Sequence, residues 1–158
     1  MKKKEVKDSE VKLDLGAVKF DIKKKWDLKD DSVDEATAIN VLQFLTAEER
    51  IHFVNELYRV MKKGAKAQIV TPHWACNRAY GDLSFAWPPV VENWYWHLNA
   101  EWRKTGNPKE KRYKCDFTPT WGYGIHPLLQ SRNMEYQQNA ITFYKEAAQD
   151  LAATLVKN

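Results

Sequence analysis

Four histidines, at positions 52, 73, 97 and 126, are the side chains of this chain whose ordinary titration falls closest to neutral pH. His73 is the best placed for proton transfer. It follows the apolar run "KAQIVTP" and precedes Trp74, where a general base facing a substrate would stand. The alternative is a polar loop residue bonded to backbone. Tyr80 and Asp82, in "RAYGDLSFAWPPV", are the other candidates for acid–base work. His52 falls on a helix surface, His97 stands among Trp94, Tyr95 and Trp96, and His126 precedes a proline. No H-x-x-x-H, H-E-x-x-H or Cys/His cluster suggests a metal. Cys76 and Cys115 have no C-x-x-C spacing, and Ser84 and Ser131 lack the G-x-S-x-G setting of an activated nucleophile.

The bulk properties narrow the classes. The chain has 158 residues, 44% hydrophobic and 29% charged, which suits one soluble globular domain. Net charge is +4, concentrated in "MKKKEVK" and Lys23 to Lys25. Such short lysine clusters are ordinary solvated surface, so nucleic acid is not the expected partner. Two cysteines and no secretory leader point to a reduced, cytoplasmic protein. Apolar runs are too short for a membrane span. Residues 1–10 read as a charged tail and 11–158 as the domain.

The elements that would position the candidates follow from pattern. "VKLDL" and "AVKFDI" (17–22) alternate as two short strands, and "VDEATAIN" (33–40) reads as a central one. Thr46 and Glu49 form a T-x-x-E capping box. Phe53, Val54, Leu57, Val60 and Met61 then give the apolar stripe of a helix over 46–63, with Lys62 and Lys63 at its C-terminus and Gly64 as left-handed cap. "KAQIVTP" (66–72) is a strand, so 33–72 is a βαβ unit. Beyond Pro72 the texture changes: residues 73–127 hold six of the seven tryptophans and five of the six prolines. A helix is expected over 90–104, and an edge strand in "RYKCDFTPTWGYGI". A last helix is capped by Ser131 and carries Met134, Gln137, Ile141, Tyr144 and Ala148 on one face. "DLAATLVKN" closes the chain as a strand.

These pieces resemble the class I S-adenosylmethionine-dependent methyltransferases, the small-molecule-type group often labelled type 11. The sharpest match is "NELYRVMKKGAKAQIVTP", which is similar to that family's helix, "LKPGG" turn and fifth strand; the likeness covers residues 11–157. It implies an α/β, Rossmann-like, mostly parallel sheet with an antiparallel C-terminal strand. The cofactor, S-adenosylmethionine, would lie across the C-terminal strand ends. It would need a glycine loop after the first strand, an acid for the ribose, a polar group for the adenine, and the end of the fourth strand beside the methyl. On that alignment Asp14 and Gly16 in "KLDLG", Asp21 in "VKFDI" and Asn40 are the cofactor-binding remnants.

The departures are as informative as the match. Gly16 runs through Ala17 straight into "VKFDI", which resembles the third strand. The glycine loop, first helix and second strand with its ribose carboxylate are therefore missing. Where the group reads "S-H-V-L-E-H-L", this chain has Ile39 to Leu45, so the serine, both histidines and the glutamate are replaced. "D-P-T-H" is Asp82, Leu83, Ser84, Phe85. The resemblance thus implies a truncated, degenerate site and either S-adenosylmethionine or no cofactor.

Two functions follow. One is a non-catalytic binding protein, pairing with another copy or with a complete methyltransferase subunit through the sheet edge exposed by the missing strands. The other is an active methyltransferase on a small molecule or nucleic acid, with a shortened pocket. Trp74, Arg78, Tyr80 and Trp87 form a loop that is either an acceptor or partner surface, or a flap folded over a sheet that has lost its cover.

Overall fold

Thr46 begins the helix on which the rest is packed. Its hydroxyl accepts the Glu49 N–H at 3.3 Å, and the Glu49 carboxylate accepts the Thr46 N–H at 2.8 Å, completing the capping box. Helix α1 (Ala47–Val60) then buries Ile51, Phe53, Val54, Leu57 and Val60. It stops three residues earlier than expected. The carbonyls of Arg59 and Val60 are taken by the N–H groups of Asp31 and Ser32 at 3.1 and 2.8 Å, so no glycine cap is needed. Met61 is already extended, and Lys62 pairs with Asp34 at 2.8 Å instead of lying along the helix end. Gly64, with φ +78°, lies inside the following strand, where the register shifts.

The structure is a computed structural model that describes residues 10–158. The charged tail expected over 1–10 lies outside them except for Glu10. Five strands form one sheet in the order β1-β2-β3-β5-β4. Strands β1 (Lys12–Asp14), β2 (Val33–Ile39) and β3 (Met61–Pro72) are parallel, while β5 (Ala148–Lys157) runs antiparallel between β3 and β4 (Phe117–Ile125). The β2–α1–β3 unit and the antiparallel last strand are as expected. So is the edge position of β4, which tolerates Pro119 because its outer side has no partner strand among the described residues.

The second strand expected at 17–22 does not form. Residues 15–32 are a string of turns. "VKFDI" has alternating apolar residues but no strand beside it to pair with, so the alternation serves packing alone. Val18, Phe20 and Ile22 lean on the core, and Trp26 is fully buried between Phe20 and Phe53, with ring centroids 5.7 and 5.4 Å apart. Helix α1 holds this linker from behind. Glu56 accepts the Trp26 N–H at 2.8 Å, and Arg59 donates to the carbonyls of Trp26 (2.9 Å) and Leu28 (2.7 Å) while paired with Glu56 at 2.6 Å.

Downstream, the helix expected over 90–104 is broken in two. The first piece is α2 (Glu92–Trp96) and the second α3 (Ala100–Gly106), because Asn99 turns its side chain to cap Trp102 N–H at 2.9 Å. The last helix, α4 (Met134–Phe143), is capped by Asn133 and not by Ser131, and its buried residue is Ala140. Met134 and Tyr144 of the expected stripe are exposed.

One face of the sheet carries the core, with Ala36, Ala38, Ala67, Ile69, Leu151 and Leu155 against α1, Tyr95 and Leu98. The opposite face has no buried residue in its three cross-strand rows. These are Lys12, Glu35, Lys66, Val156 and Thr118; Asp14, Thr37, Gln68, Thr154 and Thr120; and Ile39, Val70, Ala152 and Gly122. Parallel sheets are ordinarily covered on both sides. Here polar side chains, including a 2.8 Å Lys12–Glu35 pair, meet solvent on the second face.

The linker clamp gives two expectations. Arg59→Ala removes donors from two carbonyls and leaves Glu56 unpaired, so it should lower unfolding free energy by about 2–3 kcal/mol in a urea titration. A loss under about 0.5 kcal/mol would mean that the linker is not held there. The Arg59 hydrogen bond also holds the Glu56 carboxyl below its ordinary 4.5. That stabilisation is complete above the unfolded value and fades as pH falls through the lower folded one. Glu56→Gln should therefore flatten the decline in urea midpoint below about pH 4.5; parallel declines would refute the assignment.

Candidate functional site

The end of β1 is the natural start of a cofactor site in this fold, and its groups are already engaged with one another. The Asp14 carboxylate turns back to accept the Gly16 N–H at 3.0 Å. A Cβ on Gly16 would meet Asp14 Oδ1 at 3.4 Å and the Ile39 carbonyl at 3.7 Å, ordinary van der Waals distances, so the turn lies against the end of β2 with room for a small side chain. Asn40 stands just beyond, with φ +55°, and its Oδ1 accepts from Gln43 Nε2 at 3.4 Å. The structure thus brings Asp14, Gly16 and the Ile39–Asn40 corner together.

Asp21 is placed elsewhere. Its carboxylate accepts the Lys23 N–H at 3.0 Å and pairs with Lys24, and the backbone N–H holds it below the usual carboxylate range. Lys23 reaches Glu49 at 3.1 Å, so this turn lies against the first turn of α1.

The three acid–base candidates do not share a hydrogen bond. His73, at the end of β3, is 2% exposed; its Nδ1 accepts the Ala75 N–H at 3.2 Å and its Nε2 meets Glu92 Oε1 at 3.0 Å. The first bond requires a bare Nδ1, so Nε2 carries the proton and donates it to Glu92. Tyr80 donates its hydroxyl to the Trp74 carbonyl at 2.7 Å. Asp82 accepts from both the N–H and the hydroxyl of Ser84, at 2.8 and 2.6 Å, and these bonds keep its carboxyl low.

The 74–90 loop does not fold down as a flap. Trp87 is 76% exposed and Leu83 stands fully in solvent, while Trp74 and Tyr80 are half exposed. Tyr80 and Trp87 lie 6.4 Å apart, Phe85 packs edge-on against Phe44 at 5.0 Å, and Arg78 pairs with Asp150 at 3.1 Å. The loop is fixed from beneath by Arg50 of α1. This buried guanidinium donates to the carbonyls of Leu42 (3.0 Å), Ala86 (3.3 Å) and Pro88 (2.6 Å), with no carboxylate among those partners.

Sequence reading did not single out Arg50, Glu92 or Tyr123. Glu92 carries no motif, but the spacing of Trp121 and Tyr123, two apart on a strand, put both on one face. Among the described residues no group of three or more His, Cys, Asp or Glu is placed to hold a metal ion. No described helix is long and apolar enough to cross a membrane.

Comparison with known proteins follows the geometry. Residues 1–69 match the model of the methyltransferase domain family. No curated protein matches the chain. Among solved structures, an S-adenosylmethionine-dependent methyltransferase from Archaeoglobus fulgidus superposes with a TM-score of 0.61 at 16% identity, covering 89% of this chain and 66% of that one. A methyltransferase from Thermotoga maritima, described as a possible histamine N-methyltransferase, gives 0.48 at 17% identity, covering 87% and 61%. A putative methyltransferase in complex with the Haloferax volcanii Trm112 activator gives 0.43 at 14%, covering 87% and 59%. The chain thus spans less than two thirds of the length of these structures. Sheet order, strand directions and the superposition agree on the fold: the chain has the Rossmann-like fold of the Archaeoglobus fulgidus methyltransferase, and its first 69 residues resemble the methyltransferase domain family.

Proposed function

We propose that this chain is a methyltransferase-like binding protein whose cofactor site has degenerated, and that it acts through a partner and not by transferring methyl groups. One observation carries the reading. Residues 15–32 pass from β1 to β2 as turns clamped onto α1, so neither glycine loop nor outer strands remain to wall a cofactor. The four candidate cofactor residues support it. Asp14 and Gly16 bond each other, Asp21 serves its own turn, and Asn40 is held by Gln43. A dinucleotide-sized or nucleoside cofactor needs free backbone N–H groups and an acid at the ribose, and those groups are used internally.

The partner surface in this reading is the exposed loop with Trp74, Arg78, Tyr80 and Trp87, beside Ile39 and Phe44 at the strand ends. Exposed tryptophan, tyrosine and arginine are the residue types that dominate interface energies, and contiguous apolar surface on a small domain marks contact sites. The partner is a second copy or a complete methyltransferase subunit. Among the described residues β1 has no strand on its outer side, and this is a second point of attachment, although the strand is only three residues long and carries Lys12.

Calorimetry with S-adenosylmethionine and S-adenosylhomocysteine is the direct test of the degenerate site. No heat of binding at micromolar ligand is expected, and micromolar affinity for either would establish a working shortened pocket in its place. Trp87→Ser should leave stability within about 0.5 kcal/mol, because the ring is exposed. The same change should abolish self-association seen by gel filtration, or retention of the complete methyltransferase subunit. A wild-type mass at the monomer value would exclude the second-copy form, and unchanged association in the variant would move the interface off this loop.

A further inference from the structure

Beside the strand ends, on the β4 side of His73, lies an open cleft of about 510 Å³ lined by Trp74, Val91, Glu92, Asn93, Trp121 and Tyr123. Three of its six walls are aromatic, one is a carboxylate, and none is a lysine or arginine, although the chain carries a net charge of +4. Neither the cofactor alignment nor the partner loop accounts for this combination.

The walls are fixed in place. Trp121 and Tyr123 project from the same face of β4, and Trp121 is wedged edge-on against Trp96 at 5.1 Å and stacked on the fully buried Tyr95 at 6.2 Å. Tyr123 meets His73 edge-on at 5.5 Å, and Trp74 packs at a tilt on the same imidazole, also at 5.5 Å. Glu92 is held by the His73 bond at 3.0 Å, with a side chain 22% exposed. Burial pushes its carboxyl up, but the His73 hydrogen bond and nearby backbone outweigh that, and the Tyr123 hydroxyl adds to them, so the group stays ionised. His73 is locked as an Nε2–H donor by the Ala75 N–H, so the imidazole orients the carboxylate and leaves its negative charge for the cleft.

We infer that this cleft is a binding site for a small organic cation, of the quaternary or methylated ammonium class, held against Glu92 between the Trp74, Trp121 and Tyr123 rings. Aromatic faces present negative charge to such a cation and replace its weakly held water, and a half-buried carboxylate supplies the counter-ion. Uncharged ligands of the same shape gain the apolar contact but not the charge pairing. The site is independent of any cofactor and stands whether or not the Asp14–Gly16 corner binds one.

The test is a titration of the full chain with tetramethylammonium and with choline, read by tryptophan fluorescence and calorimetry in the absence of any nucleoside. Saturable binding is expected, with the neutral isostere 3,3-dimethylbutan-1-ol failing to compete. Glu92→Gln keeps an acceptor for His73 while removing the charge, and should weaken binding roughly tenfold, equivalent to about 1.4 kcal/mol. Trp74→Ala, at an exposed ring, should weaken it severalfold with the unfolding midpoint unchanged. Absence of saturation, equal binding of the neutral isostere, or an unaffected Glu92→Gln would each overturn the inference. S-adenosylhomocysteine separates the two sites. Its binding would refute the degenerate-site reading without touching this one, provided that it does not displace the ammonium.

Discussion

The Glu56–Arg59 pair on α1 is the interaction on which this fold depends. In a sheet of this kind the first and fourth strands are neighbours in space but distant in sequence, and the intervening chain ordinarily builds further strands. Here it is reduced to residues 15–32, which must run from the end of β1 back to the start of β2 with no ladder to guide them. Turns without a partner are held only by what they touch. Glu56 and Arg59 supply that contact through one backbone N–H and two carbonyls, and Trp26 fills the space between them and Phe53. Arg50 does the same for the loop on the other side, through the Ala86 and Pro88 carbonyls, while a third donor holds Leu42. One helix therefore anchors both irregular segments.

That economy shapes the functional corner. The linker is drawn tight against α1, and the Gly16 turn closes on the Asp14 carboxylate beside the Ile39 carbonyl. The apolar surface at the same end, from Ile39 and Phe44 to Trp87, is what remains when such an end is not closed over. The proposed shift from catalysis to binding needs no new element: within the shorter connection Asp14 accepts the Gly16 N–H and Asp21 the Lys23 N–H.

Much of this was legible from the residues. The T-x-x-E box, the apolar stripe of α1 and the switch to a period of two before Pro72 located the βαβ unit, and the motif order located the missing segment. What failed did so for one reason: short apolar alternation carries no information about pairing. "VKFDI" has the pattern of a strand, and only the absence of a neighbour makes it a turn. Likewise, Gly64 looked like a helix cap because nothing local reveals that Asp31 and Ser32 reach across to the Arg59 and Val60 carbonyls. Of the loop candidates, Tyr80 bonds the Trp74 carbonyl and Asp82 bonds Ser84, local partners that residue type alone does not reveal. The role of Glu92 depends on His73, nineteen positions away, a proximity that the fold alone creates.

The uncovered face of the sheet bears on how this sequence can change over time. Residues beneath α1 must fit their neighbours, so substitutions there are limited by shape. None of Thr37, Gln68, Thr154 and Thr120 is buried among the described residues, and shape places little limit on them. Their limit is set by water: a valine or isoleucine at these positions would leave the fold intact and create an adhesive ribbon across four strands. On this side of the molecule, drift is bounded by solubility and not by packing, and the two faces of one sheet are accordingly free to diverge at different rates.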